Sequence, residues 1–131
     1  MQPARKIIVI EDDESIRQMY SYKLKSCGYS VSVAENGLIG LERTEEIKPD
    51  LILLDLMMPE MNGDEMLQKL RETTWGANIR VIILTNISRS EAPHSLRLLN
   101  VDRYIVKAHS TPSQVIDTVQ EILGKQGEKD V

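Results

Sequence analysis

One stretch of the sequence decides the fold, and it reads Leu51-Ile52-Leu53-Leu54-Asp55-Leu56-Met57-Met58-Pro59. Its first four residues are continuously apolar, which is typical of a strand in a parallel sheet that helices cover on both faces. Asp55 follows this run directly, at a position where no helix begins that the aspartate could cap. The stretch therefore predicts a buried central strand with an acidic side chain at its carboxyl end.

Four more short apolar runs predict further strands before and after this one in the chain. Residues 7–10 and 81–84 are continuously apolar and belong in the middle of a sheet. Residues 30–34 alternate polar and apolar side chains, as an edge strand does. The strands predicted in this way cover residues 7–10, 31–33, 51–54, 81–84 and 104–106.

Segments with apolar residues at spacings of three and four separate the strands and predict helices. The first covers residues 14–27, with Asp13 as its cap, and the second follows a cap at Asn36. A third helix follows Asn62, because Glu65 stands three residues further on and the pair resembles a capping box. Each of these helices connects two successive predicted strands.

Two further helices are predicted in the last third of the chain. The fourth lies around residues 96–99, where Pro93 interrupts its start. The fifth follows Thr111-Pro112-Ser113-Gln114, which combines a capping box with a proline at the first helical position. Strand and helix thus alternate five times with short connections. This alternation predicts an α/β fold: a doubly wound parallel sheet with right-handed crossovers and helices on both faces.

Length and charge narrow the class of protein. The chain has 131 residues, which predicts a single domain over residues 1–131 with a core at about 5–124 and a polar tail at 125–131. Its net charge is −4, and the four acids of Glu11-Asp12-Asp13-Glu14 account for all of that excess.

Basic residues are scattered along the chain, so we expect no direct binding to nucleic acid. One cysteine and only short apolar runs favour a cytoplasmic protein without membrane contact.

Polar and charged side chains follow the predicted strands where a doubly wound sheet binds its ligands, at the carboxyl ends. These residues are Glu11, Asp12, Asp55, Thr85 and Lys107. Three carboxylates in one cleft repel each other unless a divalent cation neutralises them. Carboxylate oxygens suit Mg²⁺, which retains waters that a phosphoryl group can replace. The sequence therefore predicts a magnesium site at this edge of the sheet.

Four segments in order resemble the receiver domain of two-component response regulators. They are residues 7–14, residues 49–63, the Leu84-Thr85 step and residues 104–107, and the resemblance covers about residues 5–124. The resemblance implies a flavodoxin-like sheet of five strands in the order 2-1-3-4-5. It also implies a stand-alone module similar to chemotaxis regulators, which modifies only itself and is not a turnover enzyme.

The family resemblance assigns roles to the acidic residues. Asp55 is implied to be the phosphoacceptor, which takes a phosphoryl group from a sensor histidine kinase or a phosphotransfer protein. Glu11, Asp12 and Asp55 are implied to hold Mg²⁺, with the backbone carbonyl of Met57 completing the metal shell. The side chain at Met57 is then free to vary.

The resemblance also implies a switch. Thr85 contacts the phosphoryl oxygens, Lys107 pairs with the acceptor and the phosphate, and Thr85 and Tyr104 couple the site to the surface. That surface is formed by the fourth helix, fifth strand and fifth helix, here residues 89–100 and 104–123, and it binds a downstream protein. A monomer or a weak phosphorylation-linked dimer is expected.

Two alternatives remain open at this point. Ala108 follows Lys107 where the family commonly has proline, which leaves room for a receiver-like binding module that is not phosphorylated. A phosphatase with an aspartate nucleophile is a weaker alternative, because that chemistry generally needs a second acid two residues after the nucleophile. Met57 stands at that position.

Overall fold

Five parallel strands form one sheet in the computed structural model, which describes residues 3–124. The strands are β1 (Lys6–Ile10), β2 (Ser30–Ala34), β3 (Leu51–Leu54), β4 (Arg80–Thr85) and β5 (Arg103–Val106). Their order is β2-β1-β3-β4-β5 and every neighbouring pair is parallel, which confirms the predicted fold class and strand order. The continuously apolar strands lie in the centre and the alternating strand lies at an edge. The predicted polar tail at 125–131 is outside the described residues.

The structure has four α-helices in residues 3–124; the first three connect successive strands and the fourth follows β5. Three of the four begin at the predicted caps. Asp13 and Asn36 each accept a hydrogen bond from a backbone N–H of the first turn. Thr111 and Gln114 form the predicted reciprocal capping box. The helices are α1 (Glu14–Ser26), α2 (Gly37–Ile47), α3 (Gly63–Arg71) and α4 (Pro112–Leu123). Among the helices within residues 3–124, none is both long enough and apolar enough to cross a membrane.

Successive residues of the central strands point to opposite faces of the sheet and build two cores. On one face, Ile8, Ile10 and Leu54 pack in a cluster with Met66 and Leu70 of α3. The opposite face carries the other core, which α1 and α4 complete; its members include Ile7, Val9, Leu53, Leu24 and Val119. Fully burying each such side chain contributes about 1.5–3 kcal/mol, so β1 and β3 are a rigid support for the residues at their ends.

The predicted capping box at Asn62 is wrong. The Asn62 side chain makes no hydrogen bond to the first turn of α3. Its Oδ1 instead accepts from the backbone N–H of Met58 at 3.4 Å, so the side chain braces the loop before the helix. The Asn-x-x-Glu spacing identifies where the helix begins, but the loop is a competing partner for the same amide oxygen.

The fourth predicted helix, around residues 96–99, does not form an α-helix. The segment instead makes two short 3₁₀ turns, Arg89–Glu91 and His94–Leu98. Ala92 lies between them in an extended conformation, with φ −65° and ψ 150°, because a proline ring disfavours helical conformation in the preceding residue. Pro93 therefore splits the predicted helix into two turns.

Arg71 holds this irregular segment against the end of α3. Its guanidinium donates to the carbonyl oxygens of Leu99 at 2.8 Å, Asn100 at 3.0 Å and Gly76 at 2.9 Å. These carbonyls have no helical partner, and a backbone acceptor without one costs free energy when it is buried. One side chain thus replaces part of the hydrogen bonding that a regular helix would provide.

We predict that Arg71→Met lowers the free energy of unfolding by about 3 kcal/mol, because several carbonyls lose a charged donor. Urea denaturation followed by circular dichroism measures the change. Lys69→Met, at an exposed position on the same helix, is the control and should change stability by less than about 0.5 kcal/mol. Equal effects of the two substitutions would show that Arg71 does not hold the segment.

Candidate functional site

The carboxyl ends of the strands bring the predicted site residues to one edge of the sheet. Just past β1, the backbone N–H of Glu11 donates to Ala34 at 3.0 Å, and just past β3 that of Asp55 donates to Ile10 at 3.0 Å. The backbone hydrogen bonding of the parallel sheet therefore continues one residue beyond β1 and one residue beyond β3. This backbone pairing fixes the positions from which both acidic side chains extend.

Three carboxylates form an acidic cluster at this edge. Glu11, Asp12 and Asp55 each place one oxygen within 4.8 Å of the others. Glu11 is 3% exposed and Asp55 is 6% exposed, whereas Asp12 is exposed to solvent. Such hard oxygen donors, two buried and one open to water, fit a Mg²⁺ ion that keeps part of its hydration shell. The residues present are therefore compatible with the predicted metal.

Lys107 provides the opposite charge. Its Nζ donates to Glu11 Oε1 at 2.5 Å and to Asp55 Oδ2 at 3.3 Å, and its side chain is only 15% exposed. Lys107 begins a 3₁₀ turn, Lys107–His109, and no cis peptide bond is present in residues 3–124. Ala108 in place of proline thus leaves the ammonium in contact with both buried carboxylates.

Burial and charge together shift the pKa values of the paired groups. Burial raises the pKa of Glu11 to about 7, and the neighbouring carboxylate of Asp55 adds to the rise. Hydrogen bonds from Lys107 and from the backbone N–H of Asp13 oppose it. For Lys107, burial disfavours the ammonium, but the hydrogen bond to Glu11 and the charge of Asp55 outweigh burial and raise its pKa. The lysine therefore stays protonated while the cluster retains excess negative charge.

The loop after Asp55 is shaped by one glycine. A Cβ atom at Gly63 would lie 2.1 Å from the carbonyl oxygen of Asp55, so no other residue fits without a shift of the backbone. Within this loop the backbone N–H of Met57 lies 3.4 Å from Asp55 Oδ1, and the Met57 side chain is 64% exposed. The metal role of the Met57 carbonyl stays a prediction.

Thr85 and Tyr104 contact the same piece of backbone. Thr85 is fully buried, and its Oγ1 accepts from the N–H of Ile87 at 3.4 Å. The Tyr104 hydroxyl donates to the carbonyl oxygen of Ile87 at 2.7 Å, and the Arg89 guanidinium lies 5.9 Å from the centre of its ring. The two predicted switch residues are therefore connected through Ile87.

Sequence reasoning missed one residue at the site. Arg17 of α1 donates to the carbonyl oxygens of Glu11 at 2.9 Å and Asp12 at 3.3 Å, and so holds the loop that carries two of the carboxylates. Its only signal in the sequence is a position one turn into the first helix, which many surface arginines share. The contact depends on loop carbonyls, and these have no residue-type signature.

Comparison with known proteins agrees with this geometry. Residues 7–120 match the family described as the response regulator receiver domain. The chain is 36% identical to the alkaline phosphatase synthesis transcriptional regulatory protein PhoP of Bacillus subtilis, with 91% of this chain and 48% of that protein covered. It is 30% identical to the chemotaxis protein CheY of Halobacterium salinarum, with coverage of 92% and 98%. The chain thus spans less than half of PhoP and nearly all of CheY.

Solved structures give the same result. The chemotaxis protein CheY4 of Vibrio cholerae superposes with a TM-score of 0.83 at 27% identity, covering 92% of this chain and 99% of that chain. A CheY-like receiver domain protein from Methanospirillum hungatei gives a TM-score of 0.84 at 26% identity, with coverage of 95% and 97%. Fold, site and sequence agree, and the chain belongs to the response regulator receiver domain family of two-component signalling.

Proposed function

We propose that Asp55 accepts a phosphoryl group from a phosphohistidine of a sensor histidine kinase or phosphotransfer protein. The observation that carries the proposal is the Lys107 ammonium, which contacts Glu11 and Asp55 together within the acidic cluster. A structural aspartate at a strand end needs a helix to cap or a single ion-pair partner, and Asp55 lies instead among several charged groups. This arrangement supports phosphoryl transfer better than a purely structural role.

The chemistry requires the side chains that surround Asp55. A carboxylate oxygen of Asp55 attacks the phosphorus in line, a P–O bond forms, and the P–N bond to the donor imidazole breaks with its electron pair leaving on nitrogen. Lys107, 3.3 Å from Asp55 Oδ2, donates to oxygens of the incoming group and offsets their charge. The product remains on the protein, so the chain modifies itself and does not turn over a substrate.

The same proposal assigns the metal ligands. Glu11, Asp12, Asp55 and the backbone carbonyl of Met57 would hold Mg²⁺, which when bound neutralises charge on the carboxylates and the phosphoryl oxygens. Arg17 keeps the loop of Glu11 and Asp12 in place through their carbonyls. Glu11 must lose its proton to serve as a ligand, since metal ligands bind deprotonated.

Switching follows from the contacts of Thr85. A phosphoryl group adds about −1.5 to −2 charges, and its oxygens accept a hydrogen bond from the Thr85 hydroxyl. The hydroxyl is drawn toward Asp55, and its Oγ1, which accepts from the N–H of Ile87 at 3.4 Å, moves with it. The Tyr104 hydroxyl donates to the carbonyl oxygen of the same Ile87, so movement of this backbone changes the hydrogen bond of the tyrosine. The partner-binding surface proposed here consists of the 3₁₀ segment at residues 89–100 with β5 and α4.

We predict that incubation with acetyl phosphate and Mg²⁺ adds about 80 Da, the mass of one phosphoryl group, in intact mass spectrometry. Asp55→Asn should abolish the adduct because the acceptor oxygen is lost. Asp117→Asn, at an exposed position on α4, is the matched control and should keep it. An adduct that survives in Asp55→Asn would place the acceptor elsewhere, and no adduct in the parent protein would favour an unphosphorylated binding module.

We predict that Thr85→Ala still forms the phosphoryl adduct on Asp55. In this variant the adduct should no longer change the amide hydrogen exchange of the segment that ends at Tyr104. Amide hydrogen exchange of residues 86–104, measured with and without the adduct, reports the coupling. The exposed Thr74→Ala is the control and should show the parent's change. If phosphorylation alters exchange equally in Thr85→Ala and in the parent protein, Thr85 does not transmit the signal.

A further inference from the structure

A small cavity lies where α1 packs against the carboxyl ends of β1, β3 and β4. The polar residues in its lining are Glu11, Tyr20 and Asp55, and aliphatic residues of α1 and of the three strands complete it. Its volume is about 10 Å³. This is close to the space that one water molecule needs and far below that of an organic ligand. The cavity thus suits a single water at the base of the acidic cluster.

The Tyr20 side chain brings an unsatisfied hydroxyl to this cavity. Tyr20 is only 5% exposed, and it makes no hydrogen bond within residues 3–124. A hydroxyl withdrawn from water without a hydrogen bond costs free energy, so this group needs a partner in the cavity. Burial and the negative charge of Glu11 raise the pKa of Tyr20, so the phenol keeps its proton and is a donor.

The Glu11 carboxylate can accept more hydrogen bonds than the protein supplies. Its Oε1 accepts from Lys107 Nζ at 2.5 Å, and its Oε2 accepts from the backbone N–H of Asp13 at 3.1 Å. An ionised carboxylate offers about four acceptor positions, so about two remain. Asp55 also lines the cavity, but Glu11 is the carboxylate whose charge raises the pKa of Tyr20. Donor and acceptor therefore border the same space for one water.

We propose that one water in this cavity accepts a hydrogen bond from the Tyr20 hydroxyl and donates one to the Glu11 carboxylate, which makes Tyr20 a positioning residue for the cation site. The bridge adds a third contact to the carboxylate, besides those of Lys107 and Asp13. A carboxylate held in one orientation loses less freedom when it binds a cation. The link to Mg²⁺ rests on the proposed function, whereas the bridge itself does not.

A crystal structure of the metal-free protein, grown above the Glu11 pKa of about 7, tests the bridge directly. We expect a water within about 3.2 Å of both the Tyr20 hydroxyl and a Glu11 carboxylate oxygen. In Tyr20→Phe, which keeps the ring and removes the hydroxyl, this water should be lost. A cavity with no water in contact with both groups would overturn the proposal.

Mg²⁺ binding, measured by isothermal titration calorimetry, tests the positioning role. We expect a Kd at least about threefold higher in Tyr20→Phe than in the parent protein, because the carboxylate loses a contact that orients it. Tyr22→Phe removes the same atom from a side chain of α1 that is 74% exposed, and this control should bind as the parent does. Equal affinities of Tyr20→Phe and the parent, or equal losses in both variants, would refute the role.

The ¹³Cζ chemical shift of Tyr20 gives a readout that a purely structural role of the ring would leave unchanged. We expect Glu11→Gln to move this resonance, because the charged acceptor of the bridge is lost, and to leave that of Tyr22 in place. An unchanged Tyr20 resonance would contradict the bridge.

These experiments separate the inference from the proposed function. If the parent protein binds Mg²⁺ and forms the acetyl phosphate adduct while Tyr20→Phe behaves identically, the inference fails and the proposed function stands. If the parent protein binds no Mg²⁺, the proposed metal role fails and the positioning role of Tyr20 fails with it. The crystal structure and the ¹³Cζ shift then still decide the water bridge.

Discussion

The Lys107 ammonium lies between two carboxylates that are almost completely withdrawn from water, those of Glu11 and Asp55. Burying a charge costs several kcal/mol unless a partner compensates it, so none of the three groups is stable at this place alone. One ammonium against two buried carboxylates and the nearby Asp12 leaves the site short of positive charge. Burial of its carboxylate, with a smaller contribution from the charge of Asp55, raises the pKa of Glu11 to about 7. A divalent cation or a proton restores the balance.

The rest of the fold serves to hold these groups together. β1 and β3 are covered on both faces, so the backbone that carries Glu11 and Asp55 cannot relax apart to relieve their repulsion. Gly63 lets α3 approach the carbonyl of Asp55, and Arg17 fixes the loop after β1. Thr85 and Tyr104 connect this rigid edge to the irregular segment over β5, where the structure is least regular. Under the proposed function, a change of charge at Asp55 reaches the surface through these two side chains.

Much of this could be predicted from the sequence, because the relevant signals are local. Strand runs, caps at Asp13, Asn36 and Thr111, and charged residues directly after strands each depend on a few adjacent positions. The prediction of a fourth α-helix was wrong. The leucine spacing at residues 96–99 favoured a helix, but Pro93 prevented a continuous one. Contacts of Arg17 and Arg71 were missed for another reason. Both arginines bind backbone carbonyls of loops, Arg17 in the loop just before its helix and Arg71 partly at Leu99 and Asn100, and only a three-dimensional structure places those acceptors.

The ionisation of Glu11 tests the account most directly, through ¹³C NMR titration of its side-chain carboxyl in EDTA-treated protein. Between the ordinary pKa of 4.5 and about 7, folded Glu11 retains a proton that the unfolded chain has released. Its contribution to the free energy of unfolding is thus complete below pH 4.5 and is lost as the pH rises through 7. The account predicts a midpoint near 7 that rises further in Lys107→Met, since the lysine favours the carboxylate. A midpoint near 4.5 that Lys107→Met leaves unchanged would contradict it.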